Sequence, residues 1–369
     1  MGLDDLQLQL FRNHADTRLD GTGKLNLLTG ENGAGKTNIL EAISLFAPGR
    51  GMRRAGTDTM MSKGAGGKGF AIGANLHPTG SDVVRLGTYC LPDRPTRRMV
   101  RINGAAASAV ALGEWVAVSW LTPTMDRLFA EPAGSRRQFM DRLAVAIEPS
   151  HAAAAARYSA AVRERNRLLS DDRPPEPEWL DGIEAQMAMH GAALSAGRRR
   201  LVDLLDEALR ETGDGPFARP HLAYVAGGAD APDDLRDEWR RDRDRDRSAG
   251  RTLKGPHRDE LEVVLASKNM PAALASTGEQ KAMLIAIVLA HAELAAKGRS
   301  SILLLDEVAA HIDPLRREAL FDRLRSGPAQ VWLTGTESAP FSAILHDAAH
   351  WRVTNGTTAS LYDGSAGKA

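Results

Sequence analysis

Three short stretches carry residue types and spacings suited to phosphate chemistry. The first is Gly30-Glu31-Asn32-Gly33-Ala34-Gly35-Lys36-Thr37: a glycine, four residues, then Gly-Lys-Thr. This is the phosphate-loop pattern. Glycines allow a tight turn in which several backbone N–H groups converge on one anion. A helix starting behind the loop adds the partial positive charge of its N-terminus. Gly30, Asn32, Gly33, Ala34, Gly35, Lys36, Thr37 and Asn38 are therefore the expected nucleotide cradle. Lys36 would reach the β- and γ-phosphates, and the Thr37 hydroxyl would hold Mg²⁺.

The second stretch is Leu303-Leu304-Leu305-Asp306-Glu307, an apolar run ending in two carboxylates. A buried parallel strand delivers such residues to the sheet edge where ligands bind. Asp306 is expected to hold Mg²⁺ through water. Glu307, beside it, is expected to polarise the attacking water as general base. The third stretch, Ser276-Thr277-Gly278-Glu279-Gln280, precedes a long apolar helix. A serine and a glycine at a helix start make a second anion site. One γ-phosphate needs one cradle, so a second cradle makes sense if it closes on the nucleotide of another subunit. His311-Ile312-Asp313 follows the acidic pair, as a loop reaching across such an interface would.

These residues need a sheet edge to stand on. Leu25–Leu28 reads as a short buried strand before the phosphate loop, and Asn38–Ile43 has helical spacing after it. Leu6–Phe11 alternates apolar and polar, the mark of a half-buried strand. Further strands are expected at Phe70–Leu76, Val83–Tyr89, Arg97–Ile102 with an Asn103-Gly104 hairpin turn, Trp115–Leu121, Leu261–Ala266 and Val331–Thr334. Gly64 to Gly69 reads as a flexible loop. From Asp126 to about Arg210 the spacing is helical, broken by the proline-rich connector Asp171–Pro177. The alternating charges of Arg240–Arg247 read as a solvated connector. The expected layout is an α/β head from residues 1–125 and 250–369, with an inserted helical arm at 126–249.

Composition narrows the class. Of 369 residues, 43% are hydrophobic and 25% charged, as in an ordinary globular protein. Lys plus Arg equals Asp plus Glu at 47 each, so any nucleic-acid surface must be a local patch. With one cysteine, Cys90, neither an intrachain disulfide nor a cysteine metal cage can form, which suits a reducing cytosol. The N-terminus lacks the basic and apolar regions of a signal peptide. The longest apolar stretch, Ala282 to Ala296, is too short to span a bilayer. A cytoplasmic protein without a membrane partner is the expectation.

The order phosphate loop, signature, acidic pair is that of ABC-type ATPases, and the chain resembles the RecF family of bacterial recombination and gap-repair ATPases, related to SMC heads. The matching pieces are Phe11-Arg12-Asn13-His14; Gly30 to Ile43; the Gly49-Arg50 loop; Thr122-Pro123 with Ser135 to Asp141; Tyr158 with Arg165 to Leu169; Gly255-Pro256-His257-Arg258-Asp259; Ser276 to Gln280; and Leu303 to Asp313. The resemblance implies an ABC-type head with an inserted helical lobe. It implies weak, DNA-stimulated hydrolysis of ATP with Mg²⁺, and an ATP-dependent homodimer. Arg12 and Asn13 would lie near the phosphates, and Ser276 and Gly278, with Glu279 and Gln280, would form the signature that clamps the γ-phosphate in trans. Asp313 would sit in the interface loop. Thr334-Gly335-Thr336 stands where transporters carry a sensing histidine. Two departures are the Thr124-Met125-Asp126 sequence, where the family has an acidic pair, and the lack of a clear glutamine linking Mg²⁺ to the helical lobe.

The resemblance also implies binding to duplex DNA and single-strand/duplex junctions, with RecR and RecO as partners in loading RecA. Candidate phosphate contacts are Arg50, Arg53, Arg54, Lys63, Lys68, Arg97, Arg98 and Arg101. Two alternatives stay open: the nucleotide-binding subunit of a transporter, and a nucleotide-switched scaffold without significant turnover. A long SMC-type coiled-coil arm is excluded, because the insert is proline-interrupted and lacks sustained heptads.

Overall fold

The computed structural model describes residues 2–62, 66, 68–78, 82–173, 175–211 and 215–361. It divides into two units, Met1–Asp126 with Val288–Ala369, and Arg127–Ile287. The first unit opens with β1 (Asp5–Phe11), β2 (His14–Asp20), β3 (Leu25–Thr29), α1 (Lys36–Ser44), the short α2 (Thr57–Met60) and β4 (Phe70–Leu76). It continues through β5 (Val84–Leu91), β6 (Arg94–Ile102), β7 (Ala105–Ala107), the short α3 (Leu112–Trp115) and β8 (Val116–Leu121). The second unit carries α4 (Ala133–Ile147), α5 (His151–Leu169), α6 (Pro177–Glu211), β9 (Pro220–Val225), α7 (Pro232–Arg241), α8 (Arg243–Ser248), β10 (Glu260–Leu265) and β11 (Met270–Pro271). The division between units falls inside α9 (Thr277–Ala295). Then come β12 (Ser300–Leu305), α10 (Pro314–Ser326), β13 (Gln330–Gly335), β14 (Ala348–Thr354) and β15 (Thr357–Ser360).

Two sheets build the first unit. One is antiparallel, in the order β2-β1-β4-β5-β6-β7. Its strands alternate: in β1, Leu6 and Leu8 are buried while Gln7 and Gln9 face out. Asn103 and Gly104 both take positive φ between β6 and β7, as a two-residue hairpin turn requires. The other sheet runs β15-β14-β3-β13-β12-β8, and all its neighbours are parallel except β14 with β15. Every residue of β3, β8, β12 and β13 is buried. Such unbroken burial is the mark of parallel strands covered on both faces. One core joins Leu6, Leu8 and Phe11 of the antiparallel sheet, Ile39, Leu40 and Ile43 of α1, and Trp332 and Trp351 of the parallel sheet. The two indoles stack with centroids 5.9 Å apart.

The register of the parallel sheet sets the functional edge. Leu305 pairs with Leu333, and Gly335 with Thr29. The loop after β3, the acids after β12 and Thr334 at the end of β13 therefore come to one end of the sheet.

Three expectations change. The second unit is not purely helical, since it holds the three-stranded sheet β11-β10-β9. Residues 250–287, expected with the head, fall in that unit. Arg240–Arg247 is no solvated connector: most of it lies in α7 and α8, and Asp246 is buried against Arg165. Its alternating signs serve pairing, because Arg243 binds Asp181 and Glu184. Lys63 and much of the 64–69 glycine segment lie outside the described residues. Among the described residues no helix is long and apolar enough to cross a membrane.

Candidate active site

The phosphate loop takes its shape from glycine. Gly30, Gly33 and Gly35 have φ of +152°, +81° and +119°, values that strain any side-chain-bearing residue. A Cβ on Gly30 would also lie 2.2 Å from the Val353 carbonyl oxygen, so β14 passes directly behind the loop. The Lys36 ammonium donates to the carbonyls of Gly30 at 2.7 Å and Glu31 at 2.9 Å, along the loop it would share with a phosphate. Burial pulls its pKa below the ordinary lysine value, partly opposed by Glu307 and Asp306.

Opposite it stands a chain of oxygens. The Thr37 hydroxyl donates to Asp306 Oδ1 at 3.0 Å, and the Thr334 hydroxyl donates to the same atom at 2.8 Å. Thr334 also accepts the N–H of Glu307 at 2.9 Å. One hydroxyl thus fixes both acids, which accounts for threonine at this sheet end. Burial raises the Asp306 pKa, against the lowering effect of its two threonine hydrogen bonds. Glu307 is half-buried and left-handed, with φ +53° and ψ +23°. A non-glycine residue there is strained, and such strain gathers at functional sites. A hydroxyl and a carboxylate meeting at a phosphate loop are hard oxygen donors that fit Mg²⁺, which takes one or two protein oxygens and completes its shell with phosphate and water.

Arg12, Asn13 and Asn38 surround the loop without all pointing into it. Arg12 makes two hydrogen bonds to Glu41 of α1, at 2.8 and 2.6 Å, and one to the Thr59 carbonyl. Asn13 donates to the Ala34 carbonyl at 2.9 Å and accepts from Asn38 at 2.7 Å. Ser276 caps α9 in a reciprocal capping box: its hydroxyl and N–H donate to Glu279 at 2.8 and 3.0 Å, and Glu279 N–H returns to the Ser276 oxygen. Lys268, which the sequence did not single out, binds Glu279 at 2.7 Å and, with the serine contacts, holds its pKa down to about 2. Ser276 and Gly278 are exposed, and the Gln280 amide bonds the Ala275 carbonyl. The signature lies in the second unit and the phosphate loop in the first. Asp313 caps α10 by accepting from Arg316 N–H.

The arginine candidates separate into groups. Arg50, Arg97, Arg101 and Lys68 are exposed, with Arg101 over the Tyr89 ring. Arg53 is tied to Glu41 and Asn38, and Arg54 is exposed with φ +54°. Arg98 is a correction: its guanidinium donates to the Leu45 and Ala47 carbonyls at the end of α1. Burial pulls it down to about 10, so it stays cationic and complements the helix C-terminus.

The family-like motifs of the second unit build a frame. Arg165, fully buried, binds Glu184, Asp246, Thr252 and the Trp239 carbonyl. Arg198 joins Asp141 to Asp259, and Asp259 also accepts from Tyr224, Ser195 and Gly227 N–H. His257 bonds the Thr252 carbonyl through Nε2, so its Nδ1 accepts from Tyr158. Burial lowers the His257 pKa, and the neutral ring suits this bridging role.

An AAA domain family model matches residues 5–76. A protein of Mesorhizobium japonicum named DNA replication and repair protein RecF is 46% identical over 98% of this chain and 98% of its own length. One of the same name from Brucella suis is 45% identical, over 95% of this chain and 94% of its own. Among solved structures, the recombination mediator protein RecF-ATP in the RecFOR pathway superposes with a TM-score of 0.83 at 19% identity, covering 98% of each chain. An SMC head from Pyrococcus furiosus reaches 0.52 at 15% identity, covering 98% of this chain and 96% of its own. The fold is thus that of an ABC-type head.

Proposed function

The chain belongs to the RecF family of DNA replication and repair proteins, and from that footing we propose that it is an ATP-driven clamp on DNA. ATP binds the phosphate loop of one protomer and the Ser276–Gly278 signature of a second, so nucleotide joins the dimer and hydrolysis releases it. Lys36 and the loop N–H groups hold the phosphates. Thr37 and Asp306 would hold Mg²⁺, which supplies neutralisation of the developing phosphate charge. Glu307 accepts a proton from the attacking water. Asp313 lies in the interface loop. The reading is carried by one observation: Thr334 and Thr37 converge on Asp306 while Thr334 also fixes Glu307, beside a glycine-shaped phosphate loop.

DNA is the partner that makes turnover useful. Arg50, Arg54, Arg97, Arg101 and Lys68 offer phosphate contacts, and binding through them weakens steeply with salt. Single-strand/duplex junctions are the preferred form, DNA stimulates a slow ATPase, and RecR and RecO are the protein partners in the cytoplasm, at the nucleoid.

The test is molar mass by light scattering, with and without ATP and Mg²⁺. Glu307→Gln should trap a dimer with ATP, and Ser276→Arg should remain monomeric. A monomer under every condition would remove the trans-signature reading.

A further inference from the structure

The last strand pair of the first unit reaches back to the phosphate loop. Asn355 and Gly356, with φ of +47° and +80°, turn β14 into β15. Gly356 is buried between exposed neighbours. Its N–H donates to the Ala34 carbonyl at 2.8 Å, beside the Asn13 amide that donates to the same oxygen. Its own carbonyl accepts the Thr17 hydroxyl at 2.8 Å. With the Thr17 proton on the Gly356 carbonyl, a neutral His14 donates its Nδ1–H to the Thr17 oxygen at 3.0 Å, and its unprotonated Nε2 lies 3.1 Å from the Gly35 carbonyl. His14 is fully buried and Thr17 nearly so. The Ala34 carbonyl is therefore held from behind by two N–H donors, while the Gly35 carbonyl is held by the α1 N–H groups of Asn38 and Ile39.

In a trans peptide the carbonyl and the following N–H point in opposite directions. Fixing the Ala34 carbonyl from outside fixes the direction of Gly35 N–H, while the Gly35 carbonyl, and with it Lys36 N–H, is set by the first turn of α1. These N–H groups lie in the stretch that cradles an anion. We propose that the Thr354–Thr357 turn, acting through Gly356 and braced by Thr17, is a positioning element for nucleotide: it sets the aim of the Gly35 N–H group. This rests on the phosphate-loop reading above. Sequence tightness fits it, because a Cβ on Gly356 would lie 2.0 Å from the Asn13 carbonyl oxygen, and one on Gly35 would lie 2.7 Å from His14 Nε2.

The experiment compares MgATP affinity by calorimetry, KM and kcat by phosphate release, and urea unfolding without nucleotide, in the full chain. Thr17→Val keeps the shape and removes the hydroxyl. It should weaken MgATP binding about fivefold or more and raise KM, with the smaller change in kcat. Thr17→Ser should restore binding. Gly356→Ala should weaken it further, and if that variant does not fold, the Thr17 pair decides alone. Unchanged MgATP affinity in Thr17→Val with a lowered unfolding midpoint would overturn the proposal and leave the turn as packing. Lys36→Ala is the control. If the wild type does not bind MgATP, or Lys36→Ala binds it equally well, the phosphate-loop reading falls and takes this one with it. If Lys36→Ala abolishes binding and Thr17→Val does not weaken it, only the brace is wrong.

Discussion

The arginine frame of the second unit and the sheet edge of the first bury charge in opposite ways. In the second unit Arg165 meets two carboxylates, and Arg198 meets two more, so both of these buried cations are matched by acids and carbonyls. At the sheet edge of the first unit, among the described residues, the Asp306 carboxylate meets only hydroxyls and the Lys36 ammonium only carbonyls. Among the described residues no ion pair joins Lys36 to Asp306 or Glu307. A matched network holds a fold together; charges kept apart by neutral groups retain their capacity for a ligand. Burial working against both Lys36 and Asp306 is the electrostatic trace of that arrangement.

Substitutions on each side can break this contrast. The largest effect belongs to Glu307→Gln, expected to slow phosphate release by about 10²- to 10⁴-fold with the unfolding midpoint unchanged. Comparable ATP turnover in the variant would remove Glu307 as the base. Arg165→Met should do the reverse in kind, costing about 3–5 kcal/mol of stability by stranding Glu184 and Asp246, measured by urea unfolding. A loss below about 1 kcal/mol would mean the network relaxes and the contrast is overstated. Asp306→Asn removes a buried carboxylate that makes no salt bridge among the described residues, so stability should hold within about 1 kcal/mol while Mg²⁺-dependent turnover collapses. A large destabilisation would place Asp306 with the structural acids instead.

The smallest effect is shared by both units. Burial holds His14 of the first unit and His257 of the second below the ordinary value of 6.5. Below that pH the unfolded chain takes up protons that the fold refuses. Stability should therefore fall as pH drops below 6.5 and recover above it, by up to about 1.4 kcal/mol per pH unit for each histidine. Urea midpoints at pH 7.5 and 5.5 measure this, and His14→Gln should flatten the slope in the first unit only.

The candidate site was legible where its motifs are written in consecutive residues. The phosphate loop, the acidic pair and the signature each occupy fewer than ten positions, and strand burial follows from apolar runs such as Ile302–Leu305. Contacts between distant residues were not legible. Nothing in Thr354–Thr357 announces that Gly356 will meet Ala34, because strand order decides it. Arg98 looked like a surface cation because its basic neighbours are exposed, while alternation turns its side chain inward onto the end of α1. The charges of Arg240–Arg247 misled for a related reason: helical spacing sends Arg243 and Asp246 to different buried partners. Asn-Gly at 355–356 was the one available signal of the C-terminal hairpin.

The indole pair offers an optical handle. Trp332 and Trp351 flank β3, the strand that feeds the phosphate loop, and their rings are within 11° of parallel. Two coupled chromophores in a fixed chiral arrangement should give a split near-ultraviolet dichroism signal that vanishes when the parallel sheet separates. Trp239, buried in the second unit with its N–H on the Lys254 carbonyl, stacks on no second indole among the described residues and adds no such split signal. The native chain thus carries a label specific to the parallel sheet beneath the phosphate loop, and its melting can be followed without dyes.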